Sequence, residues 1–292
     1  MRLLRRATVL SAFALGACDP NVVDAVRAPA VKPEPVPDPD PDPDPDPDPD
    51  PDPGPMNPAK PPRLVHRYSF EGTGTAVVDS QFQAHGEVVG AELPGYGTLP
   101  LSGVDDGPYV NLPNGLLSKL SDATFEAWVT WNGGAAWQRI FDFGNMDKGE
   151  DAVEGGGKSY FFLTASSGVA RNRPVPIPVA GMRLAYSQAQ VSDEEWCHAP
   201  SELPVGVPVH VAVVVNQAEQ TVTLYLNGAY LVDCELKRPL SAIDDRNNWL
   251  GRSNFAGDAR FDGIFDEFRI YDAALTDEEI AESAAAGPDA DL

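Results

Sequence analysis

The residues that could do chemistry in this chain are few, and their spacing matches no familiar catalytic motif. The four histidines are scattered along the sequence. There is no G-x-S-x-G nucleophile elbow, no phosphate-binding loop and no H-E-x-x-H or paired-cysteine zinc spacing. Because catalysis requires reactive groups held at a defined spacing, this pattern favours binding over turnover.

Aromatic residues beside turn signals are the candidates for ligand binding. Trp196 follows a polar segment that we predict to be a loop, and Trp137 and Tyr109 adjoin turns. Flat rings stack on sugars, and a few fixed polar groups then orient the ligand. Packing is an equally good interpretation of Trp196. Three polar side chains could assist a ligand: Tyr186, Asn248 and Arg252. The other tryptophans lie in strand patterns and are predicted to be core residues: Trp128, Trp131 and Trp249.

The N-terminus has the build of a secretory signal. Three arginines precede a short apolar run, residues 7–15, which is too short to span a bilayer. The following Leu15-Gly16-Ala17-Cys18 resembles the lipobox of bacterial lipoproteins, in which the chain is cut before the cysteine and lipid is attached to it. The resemblance implies a signal peptide over residues 1–17 and a membrane anchor on Cys18. The alternative is an ordinary signal peptide with an incidental cysteine.

Residues 18–62 are predicted to be a disordered tether. Within them, residues 37–53 alternate Pro and Asp strictly and contain eight aspartates. Such a segment cannot bury enough surface to fold, and alternating prolines favour an extended polyproline-like spacer. At roughly 3.1 Å per residue it would reach about 50 Å. The alternative, a loose metal-binding acidic run, is disfavoured because the prolines keep the carboxylates apart.

Two cysteines remain if Cys18 carries lipid. An exported protein meets an oxidising compartment, so Cys197 and Cys234 are predicted to form a disulfide. The alternative is a metal site that uses Cys197, His198 and Cys234, but it lacks a paired ligand motif.

The charge and the hydropathy of the sequence argue against nucleic-acid binding and against a transmembrane helix. The formal net charge is −23, which disfavours binding to nucleic acid through phosphate contacts. Past the leader there is no second apolar stretch of about 18 residues, so no transmembrane helix is expected.

The remaining residues, 63–292, must supply the elements that position the candidate groups. Short runs with strand patterns recur between turn signals, which is typical of a sandwich or barrel. Residues 209–215 are nearly all β-branched, as in a strand buried on both faces. Asn227-Gly228 predicts a tight hairpin between strands at 221–226 and 229–235. A single helix is predicted over residues 276–285, with a capping box formed by Thr276 and Glu279.

Several segments, in their order along the chain, resemble the laminin-G-like jelly roll. They are Tyr68-Ser69-Phe70-Glu71-Gly72, Thr124-Phe125-Glu126-Ala127-Trp128-Val129, His210-Val211-Ala212-Val213-Val214-Val215, Leu224-Tyr225-Leu226-Asn227-Gly228 and Gly263-Ile264-Phe265-Asp266-Glu267-Phe268-Arg269-Ile270-Tyr271. The resemblance implies an all-β, two-sheet antiparallel jelly-roll sandwich of the concanavalin A-like lectin/glucanase type, with one short C-terminal helix.

The resemblance bears on catalysis and on metal binding. Glycan-cleaving proteins of this fold carry an E-x-D-x-x-E run on one strand, and this sequence has no such run. Glu126 lacks acidic neighbours at the matching positions, so we expect no enzyme activity. Calcium often joins the first and closing strands of this fold, which makes Glu71, Asp79 and Asp266 candidate ligands for a structural calcium ion. The alternative is that Asp79 caps a turn and Asp266 pairs with Arg67 or Arg269.

Together these features predict a lipid-anchored protein of the bacterial cell envelope, in the periplasm or at the cell surface. Its jelly-roll domain is expected to bind a glycan or a surface protein without cleaving it. The alternatives are a structural or adhesive module without a small ligand and an unrecognised glycan-active enzyme.

Overall fold

The computed structural model describes residues 63–81, 84–169, 177 and 179–290. The predicted signal peptide, the predicted tether and Cys18 therefore lie outside the described residues. Within the described part of the chain, no helix combines the length and apolar character needed to cross a membrane.

The described residues form seventeen strands and one α-helix. In chain order they are β1 (Leu64–Tyr68), β2 (Thr73–Gly74), β3 (Ala76–Val77), β4 (Gly86–Val89), β5 (Leu93–Pro94), β6 (Leu99–Ser102), β7 (Tyr109–Leu112), β8 (Ala123–Trp131), β9 (Arg139–Met146), β10 (Gly157–Thr164), β11 (Arg183–Ser187), β12 (Glu195–His198), β13 (Pro208–Asn216), β14 (Thr221–Leu226), β15 (Ala229–Glu235), β16 (Asn247–Leu250), β17 (Asp262–Tyr271) and α1 (Asp277–Ala286).

Most of these strands belong to two antiparallel sheets. The seven-stranded sheet has the order β1-β17-β8-β13-β14-β15, and β6 also pairs with β17. The eight-stranded sheet has the order β12-β11-β10-β9-β16-β7-β4-β3, and β2 and β5 form a separate small pair. Early and late strands are thus neighbours in both sheets. The predicted all-β sandwich with a C-terminal helix is confirmed.

Aromatic rings from both sheets meet in the core between them. Phe125 on β8 lies 5.5 Å from Phe141 on β9 and 5.6 Å from Phe161 on β10, measured between ring centroids. Phe268 on β17 lies 5.9 Å from Phe141. All four rings are buried. Edge-on and tilted ring pairs add to the hydrophobic gain of burial, so this cluster fixes how the sheets face each other.

Strand β13 is buried on both faces, as its β-branched sequence predicts. Its odd-numbered valines enter the core between the sheets. Ala212 and Val214 point the other way and pack with Ile280 of α1 in a second cluster. The helix therefore covers the outer face of the seven-stranded sheet, which explains why this strand shows no polar alternation.

The predicted cap and hairpin are both present. The Thr276 side chain accepts a hydrogen bond from the Glu279 backbone N–H at 3.2 Å, and the Glu279 carboxylate accepts one from the Thr276 N–H at 2.8 Å. Asn227 and Gly228 both have positive φ, 52° and 77°. A Cβ on Gly228 would lie 3.0 Å from the Cβ of Ala284, so the glycine also lets the hairpin approach α1.

The disulfide between Cys197 and Cys234 is present, with a Cα–Cα distance of 5.6 Å. Cys197 lies on β12, at one edge of the eight-stranded sheet, and Cys234 lies on β15, at one edge of the seven-stranded sheet. The bond therefore fastens the two sheets at one side of the sandwich. A Lys237–Glu195 ion pair at 2.7 Å links the same two edges.

Replacing both Cys197 and Cys234 with alanine should lower the free energy of unfolding. The disulfide closes a loop of 37 residues, for which the chain-entropy model gives about 4 kcal/mol. Urea unfolding followed by tryptophan fluorescence measures the difference. Reduction of the unchanged protein should give a similar loss, and an unfolding free energy that neither treatment alters would contradict the structural role.

Candidate functional site

On the outer face of the eight-stranded sheet, side chains from neighbouring strands form a continuous row. In a strand, alternate residues point to opposite faces, so the residues between the core positions all point outward. The pairing register places one outward residue from each of six neighbouring strands side by side: Trp196, Ala185, Phe162, Asp142, Trp249 and Asn111.

Asp142 lies in the middle of this row and is fully buried. Its carboxylate accepts hydrogen bonds from the backbone N–H and side-chain amide of Asn254, at 2.9 and 2.8 Å, and from Nε of Arg139 at 3.2 Å. Burial raises the pKa of this carboxyl, and the Arg139 charge and the Asn254 donors oppose that rise. Buried charge of this kind persists only where it is paired, which makes Asp142 the anchor of the loop that follows β16.

Arg139 extends the same network toward the surface. Its guanidinium lies 3.6 Å from the centroid of the Phe162 ring. It donates to the Asp258 carboxylate at 2.7 Å and to the Trp137 carbonyl at 2.8 Å. Residues 253–258 are thereby held down on the sheet, and Phe255 packs edge-on against Tyr160 at 5.2 Å. Phe255 and Asp258 therefore cover much of the middle of this face, where they line a small cavity of about 120 Å³ together with Arg139 and Phe162.

Trp196 and Trp137 share one arginine on this face. The Arg183 guanidinium lies 4.4 Å from the Trp196 ring and 5.8 Å from the Trp137 ring. Glu194 fixes Arg183 by an ion pair at 3.2 Å and accepts a hydrogen bond from the Tyr160 hydroxyl at 2.9 Å. Trp196 is 41% exposed. The two rings are therefore held in place and still reachable from solvent.

The backbone of Trp137 has a left-handed conformation, with φ of 69°. A non-glycine residue adopts this conformation at a cost, so it persists where surrounding contacts determine it. Here the Trp137 N–H donates to the Ser166 carbonyl at 2.7 Å, and its own carbonyl accepts from Arg139. The turn thus directs the half-buried ring to the surface beside Arg183.

Tyr109 lies on β7, where two arginines flank it. Its ring packs edge-on against Trp249 at 5.8 Å. Arg252 and Arg260 have their guanidinium carbons 4.8 and 5.2 Å from the centroid of the Tyr109 ring. Arg252 also donates to the Tyr109 hydroxyl at 2.9 Å and stacks on Trp249 at 3.7 Å.

A cavity of about 440 Å³ is lined by one residue from each of these two groups, Trp137 and Arg260. Small residues of two loops and three aspartates, Asp105, Asp106 and Asp258, form the remaining wall. We call the resulting set the aromatic–arginine rim, defined as Trp196, Arg183, Trp137, Arg260 and Tyr109. The three predicted ligand-binding aromatics all belong to this one face.

Two details of the sequence predictions are wrong. Trp196 lies on strand β12 and not in a loop, because β12 pairs with β11 and is fixed by the disulfide. Tyr186 and Asn248 do not face the rim. The Tyr186 hydroxyl donates to the Glu235 carbonyl across the sandwich, and Asn248 donates to the Pro113 carbonyl. Arg252, the third suggested polar partner, does lie beside Tyr109.

The candidate calcium ligands do not converge. Asp79 is buried, and its carboxylate accepts hydrogen bonds from His66, at 2.8 Å, and from three backbone N–H groups. Two of those N–H groups belong to Gln81 and Ala84, which confirms the alternative that Asp79 caps a turn. Within the described residues, no group of three or more His, Cys, Asp or Glu side chains is arranged to hold a metal. These three positions together do not fit a calcium ion.

Asp266 and Glu71 remain close enough to interact electrostatically. Burial raises the pKa of Asp266, and the negative charges of Asp289 and Glu71 raise it further. The suggested pairing of Asp266 with an arginine is wrong, because the neighbouring Glu267 takes that role. Its carboxylate accepts hydrogen bonds from Nε of Arg67 at 2.5 Å and Nε of Arg269 at 2.6 Å. Calcium binding by this chain stays a prediction.

Comparison with known proteins identifies the family. Residues 104–281 match the laminin G family model described as "Concanavalin A-like lectin/glucanases superfamily". The match covers more than half of the 292 residues, and the chain belongs to this family. A comparison with curated proteins finds no match.

Two solved structures are among those similar to this chain. One is domain 4 of AbnA, a GH43 extracellular arabinanase from Geobacillus stearothermophilus, in complex with arabinotriose. It has a TM-score of 0.52 and 19% identity, over 76% of this chain and 98% of that one. At this identity the likeness shows the fold alone. The other is the CBM40 of Ruminococcus gnavus IT-sialidase bound to α2,3 sialyllactose, with a TM-score of 0.45 and 16% identity, over 63% and 96%.

Replacing Asp142 with alanine should destabilise the protein by about 3–5 kcal/mol, because Arg139 then keeps its burial and loses a partner. The matched control is Arg246→Ala. Arg246 pairs with Asp244 at 2.9 Å, but both side chains are about half exposed, so its loss should cost below about 1 kcal/mol. Urea denaturation of both variants measures the difference. Equal costs would show that the buried network is not the anchor.

Proposed function

We propose that this chain is a lipid-anchored protein of the bacterial cell envelope whose jelly-roll domain binds a glycan without cleaving it. The observation that carries the proposal is the aromatic–arginine rim. Three aromatic side chains and two arginines follow one another along a single sheet face, with a cavity between them.

The rim has the chemistry that sugar binding needs. Sugar rings have apolar C–H faces that stack on aromatic rings and hydroxyl groups that bond to charged and polar side chains. Trp196 offers an exposed ring, Trp137 and Tyr109 are half-buried, and Arg183 and Arg260 supply donors between them. Part of the rim is also fixed in advance, because Glu194 pairs with Arg183 and Arg139 donates to the Trp137 carbonyl. Binding therefore needs little loss of conformational entropy.

The fold is compatible with this role. The arabinanase domain, which shares the fold, is described in complex with arabinotriose. This supports a sugar ligand for a domain with this fold. Which sugar binds depends on the side chains of this chain.

The acidic residues near the rim favour binding over cleavage. Glycoside hydrolysis uses two carboxyl groups that both reach the substrate. Asp142 is buried in its hydrogen-bond network, Asp258 pairs with Arg139, and Glu194 pairs with Arg183. These three carboxylates thus have structural partners, and Glu126 lies under helix α1, bonded to His210 and Ser283.

Replacing Trp196 with alanine should weaken glycan binding roughly tenfold, the size of one stacking contact. A glycan array probed with the purified chain, with calcium and again with a chelator, identifies the ligand. Titration calorimetry then measures the affinity of the variant. Tyr96→Ala is the matched control, because Tyr96 is 68% exposed and lies outside the rim. An array without any sugar signal, or equal losses in both variants, would reject the glycan site and leave protein binding as the alternative.

The anchor depends on Cys18, which lies outside the described residues. When the full chain is expressed with labelled palmitate, the protein should carry the label and sediment with membranes. Cys18→Ser should release it unlabelled, because the sulfur that accepts lipid is missing. Membrane fractionation with mass spectrometry of the N-terminal peptide checks this. An unlabelled protein still joined to Ala17 would contradict the anchor.

A further inference from the structure

Two arginines at the Tyr109 end of the rim differ from the other arginines of this face. Arg139 is paired with Asp142 and Asp258, and Arg183 is paired with Glu194. In the described part of the chain, neither Arg252 nor Arg260 forms an ion pair with a carboxylate; their described contacts are with aromatic rings, the Tyr109 hydroxyl and the Ala152 carbonyl.

These two guanidinium groups are also close to each other. Both contact the ring of Tyr109, with guanidinium carbons 4.8 and 5.2 Å from its centroid. Burial lowers the pKa of Arg260, and the positive charge of Arg252 lowers it further. Asp106 opposes this repulsion, but its effect on the Arg260 pKa is smaller than that of Arg252. Nearby like charges are costly, and a bound anion would relieve that cost.

The cavity beside them has room for part of a ligand. Arg260 lines this space of about 440 Å³ together with Trp137. A sugar placed against Trp137 would therefore have its substituents within the part of the cavity that Arg260 borders. Guanidinium groups bind planar carboxylates through two parallel hydrogen bonds.

Resting on the glycan-binding role proposed above, we propose that the ligand is an acidic glycan whose carboxylate or sulfate group binds at Arg252 and Arg260. Arg252 and Arg260 therefore select acidic over neutral sugars, because both kinds of sugar can stack on Trp137 and Trp196.

Three carboxylates near the cavity limit how the anion can enter. Asp105 and Asp106 are exposed at its edge, and Asp258 is occupied by Arg139. Asp106 acts on Arg260 more weakly than Arg252 does. The acidic group must therefore approach from the side of the Tyr109 ring, and the two aspartates would repel an anion placed elsewhere in the cavity.

The test uses the full chain and matched pairs of sugars. The pairs are trigalacturonic acid and its methyl ester, sialyllactose and lactose, and a sulfated chondroitin disaccharide and its unsulfated form. In at least one pair the acidic member should bind about tenfold tighter, the size expected for a charge-assisted hydrogen bond. High salt should reduce this preference and spare the neutral member.

Arg260→Gln should abolish the preference for the acidic member, so that both members of a pair bind with similar affinity. Any lost hydrogen bond to a sugar hydroxyl weakens both members equally, and the ratio of the two affinities is therefore the readout. Arg260→Lys keeps the charge without the planar fork, so it should retain part of the preference. Arg246→Gln is the matched control: it removes one positive charge at an exposed site outside the rim, and it should change nothing.

The outcomes separate the two proposals. If neutral sugars bind through Trp196 and no pair favours its acidic member, the glycan site stands and the acidic-ligand inference is wrong. A preference that survives Arg260→Gln also overturns the inference. If no sugar of either kind binds, both proposals fail. An acidic preference lost in Arg260→Gln and kept in Arg246→Gln confirms the assignment.

Discussion

The buried carboxylate of Asp142 is the interaction on which the candidate site depends. It holds Arg139 and Asn254 at the centre of the eight-stranded sheet, and Arg139 in turn holds Asp258 and the carbonyl of Trp137. Without this charge pair, the loop after β16 would lose its attachment to the sheet. Trp137 and Arg260 would then be held less firmly, whereas Arg252 would keep its contacts with Tyr109, Trp249 and the Ala152 carbonyl. Affinity gained from preorganised groups requires this kind of support.

A ligand at the rim interacts more strongly with the charges close to it than with the net charge of the chain. The chain has a net charge of −23, which by itself would repel an acidic ligand. At physiological salt, however, the interaction between exposed charges is screened beyond about 8 Å. A ligand close to Arg252 and Arg260 therefore meets mainly these two cations and the neighbouring Asp106. The overall charge opposes non-specific association with anionic surfaces, and the rim supplies specificity at short range.

The sequence patterns that involve many residues predicted the fold well. The continuous β-branched run of β13, the Asn227-Gly228 hairpin and the Thr276 cap each appear in the structure as expected. Shorter strands were missed, including β4, β6 and β12. Each has four residues, so its pairing depends on distant neighbours and, for β12, on the disulfide. Local propensity cannot supply that information.

The site was predictable only in part. Exposed aromatics next to turns led to Trp196, Trp137 and Tyr109, because stacking groups have a recognisable residue type. Their arginine partners were mostly missed, since Arg183 and Arg260 become neighbours of these rings through cross-strand pairing and loop packing. The calcium expectation rested on positions taken from the family resemblance. In this fold Asp79 caps a turn, whereas Glu71 and Asp266 interact with each other. The three positions therefore do not form one group of ligands among the described residues.

A crystal structure of the protein with the oligosaccharide that binds it most tightly would test the central claim directly. The account predicts sugar rings stacked along Trp196 and Trp137, with the end of the ligand beside Tyr109. Another cavity, of about 590 Å³, lies between α1 and the seven-stranded sheet, and its lining includes Trp128, His210 and Ile264. A sugar bound there, with the rim unoccupied, would contradict the account.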